Sequence, residues 1–176
     1  MTETLVRLAR DEADFEAARK LCQEWLDWHG ENYPTDWPTN ADPEFEHPMD
    51  PEKFRAILED LPKRHKRPSG GIFVAFVNGN PAGCVMYEEA SPGGAEFHRM
   101  FVSVEGRGHG LGQKLLESMF EQMVADGYTR VFFSSAVLLT HARATYKNTG
   151  FVDMAHPESF PISWRDKVYF MERSLV

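Results

Sequence analysis

Residues 106–112, Gly106-Arg107-Gly108-His109-Gly110-Leu111-Gly112, carry four glycines in seven positions, between an alternating segment and a segment of helical period. That combination suits the binding of an anion. Glycine lets the backbone turn tightly and come close to a ligand, and a helix N-terminus offers unpaired N–H groups and a positive dipole end. Arg107 adds a fixed positive charge able to hold a phosphate. Spacing excludes two nucleotide motifs. The dinucleotide pattern GxGxxG needs a glycine at 111 counted from Gly106, or at 113 counted from Gly108; those positions hold Leu111 and Gln113. The P-loop pattern fails as well, because Gln113 precedes Lys114 where it requires glycine.

The spacing does fit (R/Q)xxGx(G/A), the signature of the GNAT family of N-acetyltransferases, with Arg107, Gly110 and Gly112 at its fixed positions. The alternating run Glu96-Phe97-His98-Arg99-Met100-Phe101-Val102 precedes it. Later, Ala142 to Phe151 looks like the family's A-x-x-L-Y-x-x-x-G-F element. The sequence resembles that family over most of its length, most strongly from Gly83 to Phe151. The resemblance implies a single N-acetyltransferase domain over residues 1–176 and acetyl-CoA as acyl donor. The expected fold is α/β, a GNAT-like mixed and largely antiparallel sheet with helices on both faces and splayed central strands. Backbone groups of Met100, Phe101 and Val102 would pair with the pantetheine arm as if it were an added strand. N–H groups of Arg107, Gly108, His109, Gly110, Leu111 and Gly112 would hold the pyrophosphate. Tyr146 falls at the family's tyrosine position near the thioester sulfur, either as general acid to the departing thiolate or as a packed aromatic. Thr145 departs from the usual leucine. Leu139 stands where many members carry asparagine, so that amide contact is missing.

Acyl transfer to an amine needs a neutral nucleophile, hence a base. Glu96 lies at the spacing some family members use for one. Strand alternation predicts Glu96, His98 and Met100 on one face, which makes His98 a second candidate; a water chain is a third. Trp28, Tyr33 and Trp37 are candidates for an acceptor pocket, with Ser134 beside it, while the spacing of Trp25 predicts core. The expected acceptor is a small-molecule amine, amino acid-like or polyamine-like. The alternatives are a protein or peptide amine, or a non-catalytic acyl-CoA-binding regulator.

The elements that must position these groups follow from periodicity. Thr4 to Arg10 alternates as a strand, and Asp11 caps a helix with Phe15, Ala18, Leu21, Cys22 and Trp25 on one face. Gly30 to Pro51 reads as a long polar loop. Asp50-Pro51-Glu52 opens a helix bearing Phe54, Ile57, Leu58 and Leu61. Ile72–Val77 and Ala82–Tyr87 flank Asn78-Gly79, a hairpin signal. A strand over Ala95–Ser103, a helix through Leu111, Leu115, Met119, Phe120 and Met123 stopped by Gly127, and a strand over Thr129–Ser135 come next. A helix over Thr140–Asn148 and strands over Phe151–Met154 and Val168–Ser174 complete the order β-α-α-β-β-β-α-β-α-β-β.

A net charge of −8 argues against nucleic-acid or anionic-membrane partners. The basic run Lys63-Arg64-His65-Lys66-Arg67 follows a helix pattern and suits a helix C-terminus. Cys22 and Cys84 form no CxxC and predict two buried thiols in a reducing, cytoplasmic setting; residues 1–10 lack an apolar export segment. The scattered histidines predict no metal site. Pairing of two chains stays open.

Overall fold

Two aspartates start the helices of the N-terminal half. In the computed structural model, which describes residues 1–37 and 50–176, Asp11 accepts from the Asp14 N–H at 3.0 Å and opens α1 (Glu12–Asn32) after strand β1 (Thr4–Leu8). Asp50 accepts from Glu52 and Lys53 N–H groups and opens α2 (Pro51–Glu59), with Pro51 where no N–H is needed. The helix expected to carry on through Leu61 breaks at Asp60 and resumes as the single turn α3 (Leu61–Arg64). Pro62 explains the break: it has no N–H to give and its ring clashes with the carbonyl four residues back. Most of the predicted loop from Gly30 to Pro51 lies outside the described residues, but its first part is helical. The chain runs through Gly30 to Asn32, and the Tyr33 N–H still bonds to His29 O. One exposed glycine costs a helix only about 1 kcal/mol, less than the aromatic packing of this turn returns.

Strands β2 (Gly71–Val77) and β3 (Asn80–Ser91) turn through Asn78 and Gly79, both at positive φ, as a tight hairpin requires. β4 (Gly94–Val102) then leads through a short 3-10 turn to α4 (Leu111–Ala125), which Gly127 ends at φ 92°. β5 (Arg130–Ala136), α5 (Thr140–Asn148), β6 (Val152–Met154) and β7 (Val168–Ser174) complete a seven-stranded sheet in the order β1-β2-β3-β4-β5-β7-β6. Every neighbouring pair is antiparallel except β4 and β5. The mixed, largely antiparallel sheet is therefore the expected one. β2 is buried on both faces, since Phe73 and Ala75 face the core under α4 while Ile72, Val74 and Phe76 face the core under α1 and α2. Cys22 and Cys84 lie buried in the second core as free thiols.

Two irregularities in β4 create the site. β4 and β5 pair only at Gly94–Arg130, Ala95–Val131 and Glu96–Phe132, and beyond Glu96 the strands diverge. In addition, β3 pairs Met86 with His98 but Cys84 with Phe101, so Val85 faces both Arg99 and Met100. That bulge is marked by Arg99 at φ 51°.

The basic run is partly structural. His65 is buried with Nδ1 2.9 Å from Tyr87 O. Arg67 grips Asp126, at the end of α4, with two guanidinium nitrogens, and the Tyr87 hydroxyl and Gln122 amide donate to the same carboxylate. Burial works against that charge, yet these donors outweigh it and hold Asp126 below the usual carboxylate range. A depressed carboxyl contributes stability at neutral pH that is lost as pH falls through its folded value. Asp126→Ala is expected to cost about 2–3 kcal/mol in urea unfolding near pH 7, because Tyr87 and Arg67 lose their partner. The deficit should shrink in acid.

Candidate active site

The end of the site expected to hold the donor is built by the start of α4. Its N-cap is Gly110, at φ 67°, and no side chain caps the helix, so its first N–H groups have no capping partner. Gly108 is also left-handed, at φ 78°, and a Cβ added at Gly108 or Gly110 would meet no protein atom within 4 Å. Glycine is required here by backbone conformation, with open space before it. Gly106 differs: a Cβ there would come 2.5 Å from Ala82 O, so it serves packing. Arg107 is exposed and His109 half-buried beside this turn, and Leu111 is buried beneath it. From this end, the stretch of β4 holding Met100, Phe101 and Val102 presents an edge that β5 does not pair. Such an edge accepts an extended polar chain.

The seam between β4 and β5 opens into a cavity of about 470 Å³ whose lining includes Glu96, His98, Ser134 and Tyr146. Tyr146 is buried among Phe97, Phe133 and Phe151, with ring centroids 5.8, 4.4 and 5.9 Å away. Burial, and secondarily Tyr169, push its ionisation upward, so its hydroxyl stays protonated through the neutral range. Glu96 is a half-buried carboxyl raised chiefly by burial, with His98 pulling it down and Glu88 pushing it up again. His98 Nε2 lies 3.1 Å from Glu88 Oε1 and 3.9 Å from Glu96 Oε2. The same imidazole holds Glu88 below its ordinary value. Behind it, the His65 ring sits 6.0 Å from His98, and burial keeps it neutral with a pKa of about 4. Two carboxylates with opposed shifts around one imidazole can accept and pass a proton.

The predicted alternation fails at one point. Glu96 and His98 share a face, but the bulge at Arg99 sends Met100 to the other, where its Cε stands 3.5 Å from a Cβ built on Gly112. Met100 thereby packs toward the glycine turn while still lining the cavity, and Arg99 enters the cavity from the opposite face. The aromatic candidates divide similarly. Tyr33 lines the cavity; Trp37 packs behind it, tilted, at 5.0 Å and meets Trp164 edge-on at 5.8 Å; Trp28 meets His29 edge-on at 5.2 Å. Neither Trp28 nor Trp37 is among the lining residues. Trp25, expected in the core, touches both core and cavity, stacked on Phe54 at 5.9 Å.

Among the cavity residues that escaped the sequence reading are His29, Glu88 and Arg99. His29 follows Trp25 and precedes Tyr33 at four-residue steps, a helical stripe that the loop assignment from Gly30 concealed. Its Nδ1 lies 2.6 Å from Trp25 O, and burial lowers its pKa. Glu88 was legible only through the β3–β4 register, which sets it opposite Glu96. Arg99 required the bulge. Among the described residues no group of His, Cys, Asp and Glu could hold a metal ion, and no helix is long and apolar enough to cross a membrane.

By sequence, no curated protein matches the chain. Many solved structures share its fold. An acetyltransferase of the GNAT family from Staphylococcus aureus superposes with a TM-score of 0.74 at 18% identity, covering 99% of this chain and 100% of its own. The PaiA N-acetyltransferase of Thermoplasma acidophilum, solved with coenzyme A, gives 0.68 at 16% identity, covering 98% and 99%. A ribosomal-protein alanine N-acetyltransferase of Escherichia coli gives 0.64 at 15%, covering 98% and 94%. The family model "Acetyltransferase (GNAT) family" matches residues 22–151, from the middle of α1 through the glycine turn and Tyr146 to the start of β6. With that match across most of its length, the chain belongs to the GNAT acetyltransferase family.

Proposed function

We propose that the protein, acting as one domain, transfers an acetyl group from acetyl-CoA to the primary amine of a small molecule. The observation that carries this reading is the seam beyond Glu96. It has an uncapped, glycine-rich helix start at one end, a free strand edge along its length, and a carboxylate–imidazole cluster and a protonated tyrosine at the other. The α4 N-terminus and Arg107 would hold the diphosphate, and Met100 to Val102 the arm that leads the thioester inward.

In the chemistry that follows, Glu96, directly or through His98 or water, takes a proton from the substrate ammonium. The neutral nitrogen forms a bond to the thioester carbonyl carbon, and the carbon–sulfur bond breaks. Sulfur leaves with the pair and takes the Tyr146 proton; the second proton on nitrogen restores it through solvent. Burial keeps the Tyr146 hydroxyl protonated at neutral pH, so it is available to donate to the sulfur as charge develops there. Walls formed by Trp25, Tyr33, Phe54 and Ile57 favour a small acceptor over a protein segment. A fold of this kind also serves the ribosomal-protein alanine enzyme, so a peptide amine is the competing outcome.

Calorimetric titration with acetyl-CoA, free CoA and NAD, followed by an amine screen, tests the proposal. Saturable binding of both CoA species but not NAD is expected; absence of CoA binding would sink it. Tyr146→Phe is expected to bind acetyl-CoA as the wild type does while kcat falls about 10–100-fold. Unchanged kcat would leave Tyr146 a packing residue only.

A further inference from the structure

Arg99 occupies an awkward position. Its backbone is left-handed at φ 51°, a conformation that a non-glycine residue adopts at a cost and that concentrates at functional sites. The bulge so formed turns the half-buried side chain into the cavity, on the face of β4 that carries Glu96 and His98. There the guanidinium reaches Met86 Sδ at 3.6 Å and lies 6.0 Å from the Phe54 ring centroid. Among the described residues no carboxylate comes within ion-pair distance of it, although Arg7, Arg19, Arg67, Arg130 and Arg143 all have one. Burial accordingly pulls its pKa below the ordinary value. A desolvated guanidinium without a counter-charge is unfavourable unless something else supplies the anion.

We propose that the acceptor is a free amino acid with an apolar side chain, its carboxylate held by Arg99 and its ammonium directed to Glu96, His98 and Glu88. This assignment rests on the acetyl-transfer reading and narrows it. The guanidinium fork matches a carboxylate in shape and charge. The cluster of Glu88 on β3 and Glu96 on β4 around His98, with Glu96 three residues before Arg99, supplies the opposite charge for an ammonium. Trp25, Phe54 and Ile57 provide an apolar wall for the side chain. A polyamine fits this distribution poorly, because its second cation would confront Arg99. A peptide presenting an amide in place of the carboxylate would leave Arg99 unpaired.

The experiment compares leucine and phenylalanine with leucinamide, phenylalaninamide and spermidine on the full chain. One readout is CoA-thiol release with acetyl-CoA; the other is calorimetric binding of each compound to protein saturated with free CoA, which needs no turnover. Free amino acids are expected to exceed their amides by about 100-fold in kcat/KM or in affinity. In Arg99→Gln that ratio should collapse to within about threefold, and Arg99→Lys should keep part of it. Equal or better use of amides or spermidine, no amino-acid binding, or an unchanged ratio in Arg99→Gln would overturn the assignment. Should the variants fail to fold, the wild-type ratio decides alone. Turnover of spermidine or amides removes only the role of Arg99, whereas failure to bind acetyl-CoA removes the acetyl-transfer reading beneath it.

Discussion

Gly112→Asp is expected to weaken binding of acetyl-CoA and CoA by about 1,000-fold while leaving the protein as stable as before, or more so. The opposite signs come from one position. Gly112 is the second residue of α4, and a Cβ there meets only Met100 Cε, at an ordinary 3.5 Å. Replacing glycine near a helix start raises helix propensity, and a carboxylate beside the positive end of the dipole adds to it, together about 1 kcal/mol in favour of folding. The same carboxylate occupies the place proposed for a diphosphate and repels it. Neighbouring glycines would not separate the two effects. A side chain at Gly106 would collide with Ala82 O, and one at Gly110 would strain a left-handed backbone, so either change confounds binding with folding. Thermal unfolding and calorimetric titration on the same sample give both numbers. A stable Gly112→Asp protein that still binds CoA at wild-type affinity would remove the glycine turn from the donor site.

The glycine turn was readable because its chemistry is local. Backbone conformation, a helix N-terminus and a nearby cation occupy consecutive residues, and spacing alone separates them from other phosphate motifs. The strands and helices were readable for a similar reason, since apolar period and caps such as Asp11 and Asp50 act within a few residues. The acceptor side was not. Arg99 enters the cavity only because β4 takes one residue more than β3 over Val85, and a bulge leaves no mark in an alternating sequence. Glu88 joins Glu96 through pairing register, which is a property of two strands together. His29 was hidden differently: the polar, proline-rich composition from Gly30 to Pro51 reads as loop, although packing of Trp25, His29 and Tyr33 carries the helix on to Asn32. The proposed donor site is written in one segment, while the proposed acceptor site is assembled from α1, α2, β3, β4 and β5.

Glu96→Gln is expected to lower kcat/KM about 1,000-fold and at the same time to raise stability near neutral pH. Burial lifts the folded-state carboxyl above its unfolded value. Between those two values the folded protein holds a proton that the unfolded chain has released, so stability falls as pH rises through that window. Above it the ionised Glu96 is a standing cost, and glutamine does not ionise. For activity the sign reverses: the deprotonated form is the base, so wild-type kcat/KM should climb with pH through the same window, and the variant should lose that limb. A residue kept for packing would lose rate and stability together, or neither. His98 supplies the competing assignment, since its Nε2 lies nearer Glu88 than Glu96. If His98→Gln abolishes the rate while Glu96→Gln retains both rate and limb, the imidazole is the base and Glu96 only tunes it. If both variants lose about the same factor and the double variant loses no more, the two act as one relay, as expected of groups that pass a single proton.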